Sequence, residues 1–175
     1  MAKWTIDPTH SEVLFKVKHL MITNVTGSFG TFEGSAETSA DDFSDAVIKF
    51  SADINSVDTN QPQRDGHLKS ADFFDAEKFP KLEFSSTSFT KTGDKEYNLK
   101  GDLTLKGITK PVSLKVEFGG IAVDPYGQTK AGFDVTGSFL RSEFGLTWSA
   151  VTEAGSVVVS DEVKLLATVQ VVKQA

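Results

Sequence analysis

Tyr97-Asn98-Leu99-Lys100-Gly101-Asp102-Leu103-Thr104-Leu105-Lys106 is the stretch that decides the fold. Tyr97, Leu99, Leu103 and Leu105 alternate with Asn98, Lys100, Asp102, Thr104 and Lys106. A period of two is that of a strand with one dry face and one wet face. The pattern recurs to either side. In Val112–Phe118, Val112, Leu114, Val116 and Phe118 oppose Ser113, Lys115 and Glu117. Ala131–Phe139 sets Ala131, Phe133, Val135 and Phe139 on one face, and Val163–Val171 does the same with Val163, Leu165, Ala167, Val169 and Val171. Upstream, Val13–His19 and Ala46–Ile54 alternate likewise, and the shorter apolar runs Val25–Phe32 and Leu82–Phe89 supply two more strands, the first interrupted by Gly27 and Gly30. The alternation predicts eight antiparallel strands, each with one solvated face.

Turn residues fall between these runs. Thr92-Gly93-Asp94 signals a hairpin, Gly107-Ile108-Thr109-Lys110-Pro111 is expected to break the next strand pair, and Asp124-Pro125-Tyr126-Gly127 is a turn with Pro fixing φ at its second position. Two segments lack the period. Ala40–Asp45 reads as an acidic loop or a single helical turn, and Asn60–Pro80 as a short crossing helix that ends before Pro80. No linker, repeat or low-complexity tract divides the 175 residues, so residues 1–175 read as a single domain.

An eight-stranded sheet with one apolar face must stack on a second sheet or close on itself, and eight strands enclose just enough room for side chains or one ligand. Lys16, Lys18, Lys49, Asp102, Lys106, Lys115 and Glu117 fall on the outward faces, which excludes a lipid-facing barrel. Eighteen Lys and Arg stand against 24 Asp and Glu, a net charge of −6. That balance argues against a nucleic-acid partner, which needs a basic face. With no Cys, a disulfide scaffold, a thiolate metal site and a Cys nucleophile are excluded. No run approaches the roughly 20 apolar residues of a membrane-spanning helix. The opening Met1-Ala2-Lys3-Trp4 lacks the pattern of a secretory signal. The expectation is a cytoplasmic protein with no transmembrane segment, or a periplasmic one if the chain is a trimmed mature form.

Candidate chemistry is sparse. His10, His19 and His67 lie on different elements without metal-ligand spacing, so neither a metal nor a cofactor is expected. No nucleophile elbow or phosphate loop is present. The paired carboxylates Asp41-Asp42 and Asp161-Glu162 read as solvated caps. Three polar clusters stand out: Asp7-Pro8-Thr9-His10-Ser11, Arg64-Asp65-Gly66-His67 and Arg141-Ser142-Glu143-Phe144-Gly145. Asp7, Arg64, Asp65 and Arg141 are expected to form ion pairs that tie loops over a barrel end. Alternatively, some of these groups hold a polar ligand head at the barrel mouth. Phe supplies 14 residues against two Trp and two Tyr, an excess that fits both a filled core and the wall of a cavity.

The motifs themselves carry a resemblance. Trp4-x-Ile6-Asp7-x-x-His10-Ser11-x-x-x-Phe15-x-Val17-x-His19, Gly27-x-Phe29 and Ser56-Val57-x-Thr59-Asn60 come in order. Arg64-Asp65-x-His67-Leu68-Lys69-Ser70-x-Asp72-Phe73-Phe74 and Phe79-Pro80-x-x-x-Phe84-x-Ser86 follow. Gly101-x-Leu103-Thr104-x-x-Gly107-x-Thr109-Lys110-Pro111-Val112 and Arg141-x-x-Phe144-Gly145 complete the set. From Trp4 to about Val172 the chain resembles the YceI family of bacterial proteins. The resemblance implies an all-β, extended eight-stranded antiparallel lipocalin-like barrel with one or two short helices. It implies an apolar channel that binds, stores or transports a long-chain isoprenoid-type amphiphile, such as a polyprenyl phosphate or an isoprenoid quinone, without catalysis. Channel-lining residues on this reading are Val13, Phe15, Val17, Phe29, Phe50, Phe73, Phe74, Phe84, Leu99, Leu103, Phe133, Phe139 and Trp148. His10, Arg64, Asp65, His67 and Arg141 form the ligand-head or structural polar network. Family members also occur in stress responses. A homodimer is carried as the candidate assembly. Two other function classes stay open: an enzyme acting on such a lipid through His10, His67 or Arg141, and a haem-binding electron-transfer protein using His10 or His19.

Overall fold

The computed structural model describes residues 2–20, 22–40, 42–146 and 159–174. Its strands are β1 (Ala2–Ile6), β2 (Glu12–His19), β3 (Thr23–Phe29), β4 (Phe32–Thr38), β5 (Val47–Asp53), β6 (Val57–Asp58), β7 (Lys81–Lys91), β8 (Glu96–Leu105), β9 (Ile108–Val123), β10 (Thr129–Leu140) and β11 (Glu162–Lys173). One α-helix, α1 (Pro62–Lys69), lies between β6 and β7. Pairing runs β1-β4-β5-β7-β8-β9-β10-β11 and returns from β11 to β1, which closes an eight-stranded antiparallel barrel. Each of the eight expected runs contributes to a wall strand or to its direct continuation.

The eleven strands reduce to eight long ones and the two-residue β6, which pairs with β3. β11 pairs first with β2 (Leu165 opposite Phe15) and then with β1 (Val171 opposite Ile6). β1 and β2 are thus two halves of one strand, bent at the turn Pro8–His10. β3 and β4 are likewise two halves, facing β2 and β1 and broken at Gly30-Thr31. The run Val25–Phe32, expected as a single strand, is therefore the junction of two. Ala2–Ile6 is a strand that the alternation did not announce.

A second difference concerns Pro111. The turn after β8 is only Lys106-Gly107, both at positive φ (51° and 75°), and β9 runs straight through Pro111, which faces Asp102. Pairing of β10 to β9 stops at Leu114, so β9 is an edge at Pro111 and a missing N–H is tolerated on its open side.

Inside, parity follows the pattern read from sequence. Tyr97, Leu99, Leu103 and Leu105 are all buried, at 5% exposure or less. On β7, Leu82, Phe84 and Phe89 are all buried although the third differs in parity, because a bulge between Ser86 and Ser88 resets the register. Gly101 is required by close approach. A Cβ there would lie 2.5 Å from Phe84 Cζ, so its absence lets the Phe84 ring lie on the strand.

α1 begins with Pro62, and the Gln61 side chain accepts the Arg64 N–H at 2.7 Å, which caps the first turn. None of its residues is buried. The helix and the following Phe73-Phe74 segment cross one end of the barrel.

Candidate functional site

The barrel encloses a cavity of about 430 Å³. Val13, Phe15, Val17, Phe29, Phe50, Phe73, Phe74, Phe84, Leu99, Leu103, Phe133 and Phe139 all border it. Trp148 lies outside the described residues. The Phe surplus is therefore divided: some rings are wall, and others, such as fully buried Phe144, pack behind it.

Three of the polar groups singled out above border the same cavity: Arg64 and His67 from α1, and Arg141 from the corner after β10. Phe73 sits between them. The His67 ring meets it edge-on at 5.0 Å, and the Arg141 guanidinium carbon lies 5.8 Å from its centroid. His67 Nε2 also lies 3.0 Å from Asp72 Oδ2. Lys18 and Lys49 border the cavity from exposed positions.

The expected ion pairs do not form at α1. Arg64 donates from Nε to Thr59 Oγ1 (2.7 Å) and from a terminal nitrogen to Thr59 O (2.6 Å). Asp65 accepts from the Thr59 N–H (2.8 Å) and hydroxyl. Both charges thus close on Thr59, itself 4% exposed, and Asp65 does not border the cavity. Arg141, 6% exposed, donates from Nε to Ser160 O (2.9 Å) and from its terminal nitrogens to Leu146 O (2.7 Å) and Val159 O (3.2 Å). Burial pulls the guanidinium pKa down, and the charge of Asp161 opposes it. These acceptors are main-chain carbonyls, one just after the corner and two from the residues that lead into β11.

His10, expected with this network, is elsewhere. The Asp7 carboxylate accepts the Thr9 N–H (3.1 Å) and turns the chain outward, so His10 stands on the outer wall with Nδ1 2.8 Å from Asp7 Oδ2. Lys130 Nζ adds a 3.0 Å contact to the same oxygen. The Thr9 hydroxyl, His10 and Lys130 hold the Asp7 carboxyl well below the usual carboxylate range. His10 does not border the cavity; His19 does. Among the described residues, no three His, Asp or Glu gather as a metal site.

The far end of the cavity is shut by a residue the alternation could not reveal. The connection from β4 to β5 folds back over that end and inserts Phe43, 1% exposed. Its ring packs on Trp4, Phe118 and Phe133 at centroid distances of 5.0, 5.7 and 5.1 Å. Asp45 latches the connection. Its carboxylate accepts from the hydroxyls of Ser39 and Thr38 and from the backbone N–H of Ser39 (3.0 Å) and Ala40 (3.2 Å). The Tyr97 hydroxyl donates to Asp42 O.

The Ser39 and Thr38 hydroxyls, in that order, depress the Asp45 pKa strongly. A depressed carboxylate pKa contributes stability that is complete above the unfolded value, near 3.9, and fades as pH falls through the folded one. Asp45→Asn is therefore expected to melt below the wild type at pH 7, with the gap narrowing steadily below pH 4. A gap that stays constant from pH 7 to pH 2.5 would show that the carboxylate charge does not hold the latch.

The model of the YceI-like domain matches residues 4–171. A UPF0312 protein of Staphylococcus aureus (strain bovine RF122 / ET3-1) is 38% identical over 173 residues, 97% of each chain. Among solved structures, a Campylobacter jejuni YCEI protein superposes with a TM-score of 0.75 at 32% identity, covering 90% of both chains. BcnA of Burkholderia cenocepacia superposes at 0.82 with 22% identity, over 94% of this chain and 98% of that one. A polyisoprenoid binding domain from Saccharophagus degradans, implicated in plant cell wall breakdown, gives 0.72 at 15% identity over 98% of each. By the span of the domain match and the identity of the staphylococcal and Campylobacter relatives, the chain belongs to the YceI-like family.

Proposed function

We propose that the protein binds a long-chain isoprenoid-type amphiphile, such as a polyprenyl phosphate or an isoprenoid quinone, and stores or carries it without chemical change. The observation that carries this reading is the apolar cavity, walled by Phe, Leu and Val from strands around the barrel and bordered at the α1 end by Arg64, His67 and Arg141. Each methylene moved from water into such a wall contributes about 0.8 kcal/mol, so a long chain gains what a short one cannot. The three cationic or ionisable side chains flank the place where a polar head emerges, and Phe73 separates it from the tail. The likeness in fold to a polyisoprenoid binding domain adds support.

Mass spectrometry of an organic extract of the purified protein tests the reading. A long-chain isoprenoid recovered at near-stoichiometric yield is the expected result. Extracts holding only buffer and detergent background in repeated preparations would remove its main support. Incubation with polyprenyl phosphates and quinones should return them unchanged; product formation would make the protein an enzyme on the same lipid.

A further inference from the structure

The α1 end receives the head; the opposite end raises a different question, how much tail fits. Phe43 is the side chain that answers it. It borders the cavity, yet it comes from a connection and not from a wall strand. Its backbone is left-handed, φ +63°, a conformation that a bulky non-Gly residue adopts only when its surroundings impose it. Behind it lies Trp4, 4% exposed, whose indole N–H is buried with no hydrogen-bond partner among the described residues. A ring inserted from a latched loop, over a layer that is not fully satisfied, is a floor separable from the barrel wall.

We propose that Phe43 sets the length of chain the cavity accepts. The inference rests on the carrier reading above and deepens it. Phe133 touches Phe43, and Arg141 lies at the other end of the same strand and its corner. At ~3.3 Å per residue and a strand tilt near 40°, that interval projects to about 20 Å along the barrel axis. An extended chain advances ~1.2 Å per bond, so about 16 chain carbons, or four isoprene units, span it. A longer tail must fold back, protrude or displace the ring.

The test uses delipidated protein titrated with all-trans prenyl alcohols of two to six isoprene units. Wild-type affinity is expected to strengthen by about tenfold or more per unit up to about four units, then to level off. In Phe43→Ala the floor recedes to Trp4, and affinity should go on strengthening for at least one further unit. Should the Ala variant fail to fold, Phe43→Leu carries the same test with a smaller displacement of the plateau. An identical plateau in wild type and variant overturns the floor and leaves the carrier reading intact. Failure of every alcohol to bind either protein overturns both.

Discussion

Leu103→Trp is expected to stay folded and to weaken chain binding by about a hundredfold or more, since each methylene excluded costs about fourfold. Leu103 is 3% exposed, pairs with Lys110 on β9 and Phe84 on β7, and borders the cavity two residues before the end of β8, toward the α1 end. In a solid core the added ring would be overpacking, at about 1–3 kcal/mol or more. Here it has a cavity of about 430 Å³ to enter, and it takes the space the tail needs. Melting of the lipid-free variant should fall within roughly 4 °C of the wild type, the shift of about one kcal/mol in a chain of this size. A large drop in melting temperature would mean that Leu103 is packed core. Unchanged affinity at unchanged stability would mean that the tail does not pass it.

Arg141→Ala should have the opposite signature, a large loss of stability. Removing the guanidinium strands the carbonyls of Leu146, Val159 and Ser160 and takes away the cation over Phe73. At about 1–3 kcal/mol for each buried acceptor left without a donor, with water recovering part, the net cost is roughly 3–5 kcal/mol. Thermal unfolding should report that as a fall of about 6–20 °C. Arg64→Ala should cost far less, because Thr59 keeps its bonds to Asp65. Equal melting of wild type and Arg141→Ala, with lipid binding sharply weakened, would make Arg141 a ligand-head residue and not a staple.

The wall was legible because every strand is wet outside and dry inside, so parity alone assigns Tyr97, Leu99, Leu103 and Leu105 inward. It failed where a run is too short to show a period. β1 offers only three inward positions, Ala2, Trp4 and Ile6, and the break at Gly30-Thr31 falls inside an apolar run. Phe43 escaped for a related reason: one ring in an acidic connection has no neighbour at i+2 to mark its face. The polar clusters were legible as clusters but not as partners. A sequence read for opposite charges pairs Arg with Asp, whereas Arg64 and Arg141 turn to Thr59 and to main-chain carbonyls, acceptors every residue carries. His10 reads as a mouth residue until the Asp7 cap turns it out.

The seam where β11 meets β1 and β2 has a consequence for synthesis. Every other joint of the wall links neighbours in the meander, so hairpins can form in order as the chain emerges from the ribosome. Opposite Trp4, however, stands Lys173, and that joint must wait until all the other wall strands have been made. Until then the sheet has two bare edges and an uncovered inner face lined with Phe, the state most prone to pairing with the wrong strand. The nascent wall thus stays open until β11 arrives, and the 12 residues of that strand decide whether there is an inside at all.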